Sequence, residues 1–329
     1  MNIAVCLKLS FDERGAYKYQ GIRYKQFQEA LLLFNNEAIK KNGNPLYFVC
    51  INDLQKDGSF DKYYILNGQV DDRLRFEVVN KNIMPDVVFN RIKDSLYNHP
   101  YFASVPWSAY NSQSMAMLGN KSISLRNFSQ YMPLSICVNG SDDINKIKDL
   151  IDGESRSVKW VMKPLRQNGG RGILLLDHNE AIKIIATSDQ PFLLQEFCET
   201  RSVPELDVVG RHDVRVYVID GQPLLLAIRQ PKKGDFLANT AAGGSIRFLD
   251  IALLPYEAMT MIRDIITDIN AIEKRYFISI DIFCTDSGWK LIEVNDQPGM
   301  PAVYQTSYAN NIAKKLIDSL KEVYNDRYI

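Results

Sequence analysis

With only three histidines, five scattered cysteines and no surplus of either charge, this 329-residue chain lacks most common catalytic machinery. Lys plus Arg and Asp plus Glu each number 39, so the formal charge is zero. The broad field that non-specific nucleic-acid or anionic-membrane binding needs is therefore missing. Cys6, Cys50, Cys137, Cys198 and Cys284 lie far apart in apolar runs and form no CxxC pair. That pattern reads as reduced core thiols in a cytoplasmic protein, with no zinc cluster. Gly119-Asn120-Lys121-Ser122 ends like a phosphate loop but lacks the upstream glycine, and no GxSxG elbow, HExxH helix or Rossmann GxGxxG occurs. His99, His178 and His212 are not paired with a Cys or Ser at motif spacing, which leaves little for a histidine-driven nucleophilic mechanism. The first residues enter an expected strand, Asn2 to Leu7, and no uncharged stretch approaches the ~18 residues of a spanning helix. The expectation is a cytoplasmic protein with neither membrane nor nucleic acid as partner.

What is present is the composition of a globular α/β protein: 46% hydrophobic, 24% charged and 11% aromatic residues. The length suits about two domains of ~150 residues each. Over the first 110 or so residues, short apolar runs (Ile3 to Leu7, Pro45 to Ile51, Pro85 to Asn90) alternate with a helical-period segment from Tyr24 to Lys41, which predicts a small α/β layer with a parallel sheet. Ser108 to Leu125 reads as a polar connector. Val158 to Lys163, a tight turn at Gly169 to Gly172 and Ile173 to Leu176 predict a hairpin. Further strands are expected at Phe192 to Phe197, Val214 to Ile219 and Pro223 to Arg229, then a helix over Pro255 to Arg275 and a last strand pair, Phe277 to Cys284 and Trp289 to Asn295.

That last pair holds the most chemistry. In Ile278-Ser279-Ile280-Asp281-Ile282 the isoleucines share one face, leaving Ser279 and Asp281 on the other. In Leu291-Ile292-Glu293-Val294-Asn295 the same alternation sets Glu293 and Asn295 together, with Ile292 and Val294 inward. A turn near Ser287, with Gly288 in the left-handed region, brings Asp281 opposite Glu293. Two carboxylates and an amide oxygen, without sulfur or imidazole, suit a hard cation such as Mg²⁺. Upstream, Lys163 ends an apolar strand just before Arg166-Gln167-Asn168-Gly169-Gly170-Arg171-Gly172, a loop whose unobstructed N–H groups can close on phosphate oxygens. Each feature alone is more often a solvated strand face or an ordinary turn.

Their order is more specific. Lys121, Lys163-Pro164, the Gly169 to Gly172 loop, Gln195-Glu196-Phe197, Asp213-x-Arg215, Arg229, Asn239-x4-Gly244, Asp281 and Glu293-x-Asn295 together resemble the ATP-grasp superfamily. The spacing is most similar to the glutathione synthetase and ribosomal-protein glutamate ligase branch of carboxylate-amine ligases. The ending Asn295-Asp296-Gln297-Pro298-Gly299-Met300 is closer to that of D-alanine ligases. The resemblance implies an α/β fold, α+β in the ATP-grasp part: an N-terminal domain over 1–114, a lid subdomain over 115–191 and a metal- and substrate-binding subdomain over 192–329, with ATP clasped between the last two.

The resemblance further implies that Lys121, Lys163 and the Gly169, Gly170 and Gly172 loop hold ATP phosphates. Glu196 and the Cys198 backbone would hold adenine, and Asp213 the ribose. Arg215, Arg229, Asn239 and Gly244 would face the reacting groups, while Asp281, Glu293 and Asn295 would hold two Mg²⁺ ions for which Mn²⁺ can substitute. The implied partners are a carboxylate and an amine, small or peptidic, and a homo-oligomer is compatible. A phosphotransferase acting on a hydroxyl and a non-catalytic nucleotide-binding protein are the alternatives.

Overall fold

Alternating burial along the strands builds three sheets, seen in a computed structural model that describes residues 1–9, 16, 22–70, 73–139, 159–167, 170–232, 234, 235, 238, 243–300 and 307–327. The first sheet contains β1 (Ile3–Cys6), β2 (Tyr47–Val49), β3 (Tyr63–Val70), β4 (Arg73–Val79), β5 (Val87–Asn90) and β6 (Ser108–Tyr110), in the order β4-β3-β2-β1-β5-β6. β2, β1 and β5 run parallel as expected, and β6 extends the parallel part. β3 and β4 add an antiparallel hairpin, so the sheet is mixed rather than parallel throughout. In β4, buried Leu74 and Phe76 alternate with exposed Arg75 and Glu77, the period-two pattern of a strand with one solvated face.

The helices described are α1 (Ile22–Asn42), α2 (Asp94–Tyr97), α3 (Gln113–Leu118), α4 (Lys121–Phe128), α5 (His178–Thr187), α6 (Tyr256–Asn270) and α7 (Ala309–Asn325). None is long and apolar enough to cross a membrane. The expected connector over Ser108 to Leu125 instead holds β6, α3 and most of α4. Ser112 caps α3 by accepting from the Met115 N–H, and Asn120 caps α4 by accepting from the Ser122 N–H at 3.1 Å. These helices start on local caps and are too short to show a sustained hydrophobic period.

The second sheet, β7 (Ser135–Val138), β10 (Phe192–Glu196), β8 (Trp160–Pro164) and β9 (Leu174–Leu176), is antiparallel in the order β7-β10-β8-β9. β10 lies inside it, so a boundary at 191/192 would cut the sheet, and this unit extends through Glu196. One face packs Trp160, Leu176, Phe192 and Leu194 against Ala181 and Ile185 of α5. The alternate residues of β8 and β10, among them Lys163 and Gln195, face the other way.

The third sheet is also antiparallel: β13 (Ser245–Leu249), β12 (Gln222–Gln230), β11 (Asp213–Ile219), β14 (Phe277–Thr285) and β15 (Gly288–Asn295). Val214, Val216, Val218 and Ile278, Ile280, Ile282 form a core with α6, as the isoleucine spacing predicts. The opposite face changes character along its length. Tyr217, Ile219, Leu225, Ala227 and Phe277 join α1, α7 and the first sheet in one hydrophobic cluster, whereas Asp213, Arg215, Arg229 and Asp281 occupy the half nearer the second sheet. The N-terminal unit therefore anchors one half of this face and leaves the other polar.

β14 and β15 turn through Asp286 and Ser287, with Gly288 at φ +99°; Asp281 pairs with Glu293 as predicted, and Ser279 pairs with Asn295. A register shift follows, because Ile282 pairs with Leu291. The bulge falls on Ile292, so Leu291, not Ile292, is the core partner of Val294. An extra residue at this point reverses the facing of everything before it, which simple alternation cannot anticipate.

Candidate active site

Cross-strand register assembles the polar half-face. Asp213 stands opposite Arg229 across β11 and β12, and Arg215 opposite Asp281 across β11 and β14. Arg215 donates from Nε to Asp281 Oδ1 at 2.8 Å and from Nη2 to Oδ2 at 2.7 Å, a bidentate pair. Arg229 donates from Nη2 to the same Oδ2 at 2.7 Å and from Nε to Asp213 Oδ1 at 2.5 Å. Asn295 Nδ2 adds a fourth donor to Asp281 at 3.2 Å. Asp281 is fully buried. Burial works to raise its carboxyl, but the Arg215 and Arg229 charges outweigh it and hold the pKa down at about 2. At Asp213, burial prevails over the Arg229 charge that it shares with Asp281, and the carboxyl is pushed up to about 6.

Facing this tetrad from the second sheet and α4 are two buried lysines. Lys121 Nζ donates to the Gln167 carbonyl at 2.9 Å and lies 3.8 Å from Glu293 Oε2. Its backbone N–H donates to the Leu165 carbonyl at 3.1 Å, tying α4 to the turn after β8. Lys163 Nζ donates to Gln195 Oε1 at 2.5 Å. Burial pushes the Lys163 ammonium down to about 8; Glu293 and Asp281 pull it up, and Lys121 pushes it further down.

Lys121, Lys163, Asp213, Arg215, Arg229, Asp281, Glu293 and Asn295 are thus brought together. Glu196 and Cys198 follow at the end of β10, where Cys198, its thiol pushed up to about 11 by burial and by Glu196, also feels the Lys163 charge. Gly170 and Gly172 take positive φ of +75° and +71° in the turn between β8 and β9. A Cβ on Gly172 would stand 2.9 Å from Pro164 Cγ. Gly244 directly precedes β13. Gly169 and Asn239 lie outside the described residues.

Several supporting residues escape sequence reasoning. Gln195 looks like one polar interruption of an apolar strand, yet its amide joins Lys163 to Ser135, donating from Nε2 to Ser135 Oγ at 2.8 Å. Asn111, just past β6, ties together the start of β14 and the residue after β15: its Nδ2 donates to the Phe277 carbonyl at 2.8 Å and to the Asp296 carbonyl, and its Oδ1 accepts from the Phe277 N–H at 2.7 Å. Asp296 is buried beside Asn295, and a Cβ on Gly119 would come within 2.5 Å of its Oδ1. The only sequence signals were an asparagine and a glycine in a region without periodicity.

A three-sheet α/β chain with cations on both sides of an oxygen-lined cleft has the architecture of ATP-grasp proteins. Residues 112–320 match the RimK-like ATP-grasp domain, and the chain belongs to that family. It is 26% identical over 185 residues to a glutathione synthetase of Prochlorococcus marinus subsp. pastoris (strain CCMP1986 / NIES-2087 / MED4), covering 54% of this chain and 55% of the relative. It is 24% identical over 214 residues to a probable alpha-L-glutamate ligase of Pseudomonas fluorescens (strain SBW25), covering 64% and 62%. The matched part thus spans between 55% and 62% of these curated relatives. In fold the chain is similar to the ATP-grasp ligase PsnB, in a structure with a phosphomimetic variant of its minimal precursor, Mg and ADP: the TM-score is 0.55 at 14% identity, over 97% of this chain and 98% of that one.

Proposed function

We propose that the chain is an ATP-dependent ligase that joins a carboxylate to an amine through an acyl phosphate, releasing ADP and phosphate. The observation that supports this best is the convergence of Lys121 and Lys163 with Arg215 and Arg229 across one cleft. A carboxylate attacking the γ-phosphate brings two anions together, and preorganised cations lower the barrier that their repulsion creates. No covalent enzyme nucleophile is required. In this reading the lysines and the Gly169, Gly170 and Gly172 turn hold phosphates, Glu196 and the Cys198 backbone hold adenine, and Asp213 offers its second oxygen to the ribose. Arg215, Arg229, Asn239 and Gly244 face the acyl phosphate. The named relatives make an amino-acid or peptide acid and amine the first substrates to try.

The donors present fit a hard cation. Glu293 and the Asn295 amide oxygen are hard ligands. Among the described residues no three His, Cys, Asp or Glu side chains gather as a metal site, so phosphate oxygens and water would complete the sphere of Mg²⁺ or Mn²⁺. Asp281 stands opposite Glu293, its Oδ1 accepting from one arginine donor and its Oδ2 from three donors, so an ion there would compete with the arginines for it. When bound, the cation neutralises phosphate charge and orients the γ-phosphate. Glu293 and Asn295 hold it, and Arg215 and Arg229 orient the acid.

ADP release over a matrix of amino acids, short peptides and other carboxylates tests the proposal. A ligase releases phosphate only when both an acid and an amine are supplied. A stable phosphorylated acceptor would show a kinase instead, and nucleotide binding without turnover under any pairing a non-catalytic protein.

A further inference from the structure

We infer that Gln195 is a positioning residue, whose side-chain amide holds the Lys163 ammonium in the cleft while leaving its full positive charge for a nucleotide phosphate. The inference rests on the nucleotide-binding part of the reading above. Three observations support it. Gln195 and Lys163 are both buried, and the 2.5 Å contact between them is the hydrogen bond the structure gives Lys163 Nζ. The Gln195 amide is itself fixed, since Nε2 donates to Ser135 Oγ at 2.8 Å and Ser135 Oγ donates to the Pro133 carbonyl at 2.7 Å. The chain β7 to β10 to β8 therefore sets the direction of the ammonium from three strands of one sheet. Third, the partner is neutral. A glutamate of the same shape could make the same contact, but it would cancel the charge that attracts phosphate.

The groups that act on Lys163 are Glu293 from β15, Asp281 from β14, Lys121 from α4 and Cys198 after β10. Asp281 already serves two arginines, and Lys163 forms no ion pair with Glu293, whose close cation is Lys121. Burial and these charges set how readily Nζ keeps its proton, and the neutral acceptor sets where it points. With Lys163 at about 8, phosphate affinity falls as pH rises through that value, because only the protonated form attracts the anion.

The test measures the Kd of a non-hydrolysable ATP analogue with Mg²⁺ from pH 6.5 to 10 for the wild type, Gln195→Met, Gln195→Glu and Ser135→Ala, with urea unfolding of each nucleotide-free protein. Gln195→Met removes the acceptor at similar volume. It should weaken binding by about 10- to 100-fold, the range for a lost hydrogen bond to a charged group, and should move the alkaline fall in affinity to lower pH. Gln195→Glu keeps the contact but cancels the charge, so it should also weaken binding while moving the alkaline fall to higher pH. Ser135→Ala should shift affinity in the direction of Gln195→Met, by less. Opposite displacement of the pH profile by Met and Glu is a result that simple damage to packing does not produce. If both variants bind with wild-type affinity and an unmoved profile, or if both lose affinity only in proportion to lost stability, the positioning role is wrong while nucleotide binding stands. Absence of analogue binding by the wild type would overturn the nucleotide reading and this role with it.

Discussion

The two sides of the cleft hold their cations by opposite means. On the third sheet, Arg215 and Arg229 are matched by Asp213 and Asp281, charge for charge, in a buried tetrad whose four members are linked by hydrogen bonds. On the side of the second sheet and α4, Lys163 meets a neutral amide and Lys121 a neutral carbonyl, with Glu293 the one carboxylate among the described residues in ion-pair range, at 3.8 Å. The first arrangement is stable without a ligand and lends direction. The second is left with uncompensated positive charge, which disfavours the empty fold and favours an anion. A buried ion network and a binding charge are therefore separable in this molecule, and substitutions on the two sides should fail differently.

The largest effect is expected at the hub of the tetrad. Asp281→Asn leaves the buried Arg215 guanidinium without its anion and Arg229 with Asp213 alone, a change that typically costs about 3–5 kcal/mol. Chemical denaturation should show that loss directly, and activity should fall with it. The carboxyl is held at about 2, below the ordinary ~3.9 of an unfolded aspartate. Its contribution is therefore fully present above about pH 4 and is lost as pH falls toward 2. Stability measured from pH 6 to 2 should decline less steeply in the variant than in the wild type. An Asp281→Asn protein as stable as the wild type would remove the distinction between the two sides.

This expectation departs from strand alternation alone, which places Asp281 on a face away from the apolar layer and so makes it a pure ligand. The alternation is right: Ile278, Ile280 and Ile282 do enter the core, and Asp281 does meet Glu293. What alternation cannot show is that β11 lies between β14 and β12, because strand order in a sheet is a long-range property. Only that order places Arg215 and Arg229 on one carboxylate. The same limit applies to the bulge at Ile292 and to the antiparallel β3–β4 edge. By contrast α7, with Ile312, Ala313, Leu316, Ile317 and Leu320 buried along one stripe, carries a helical period that the sequence displays openly.

On the other side of the cleft, Lys163→Met should act in reverse. Phosphate affinity and turnover should fall by on the order of 10²-fold, the scale for removing a preorganised charge. The nucleotide-free protein should gain about 1–3 kcal/mol at pH 7, because a buried ammonium held at about 8 costs stability relative to an unfolded lysine near 10.4. Between those two values the unfolded chain binds more protons than the folded one, so wild-type stability rises with pH across that window. The variant should lack this rise. Surface Lys232 is the control, and a Lys232→Met protein with the same profile would refute the assignment.

A smaller effect is expected in the turn between β8 and β9. Gly172→Ala forces an L side chain to φ +71°, with its Cβ 2.9 Å from Pro164 Cγ. That should cost about 1–2 kcal/mol if the turn is as firmly built as β8 itself. A turn that is loosely held without nucleotide would absorb the change, leaving the urea midpoint unmoved while nucleotide affinity drops. Unfolding with and without an ATP analogue and Mg²⁺ separates the two outcomes.

Glu293→Gln should disturb the fold least and so isolates the cation from the framework. Its side chain is 28% exposed, and its 3.8 Å contact with the buried Lys121 is too long for a hydrogen bond, so less is lost with it than with the close, hydrogen-bonded pairs of the tetrad. The glutamine keeps the size and one oxygen of the native residue but carries no charge, and Mg²⁺ draws much of its site affinity from one or two protein carboxylates. The nucleotide-free variant should therefore unfold within about 1 kcal/mol of the wild type, while the Mg²⁺ concentration for half-maximal ADP formation rises about tenfold or more. Lys121, relieved of its carboxylate, should at the same time bind phosphate no worse, so analogue affinity at saturating Mg²⁺ should be preserved. An unchanged Mg²⁺ requirement would take Glu293 out of the metal site. A stability loss as large as that of Asp281→Asn would mean that Glu293 belongs to the buried network, and that the two sides of the cleft are not built on different principles.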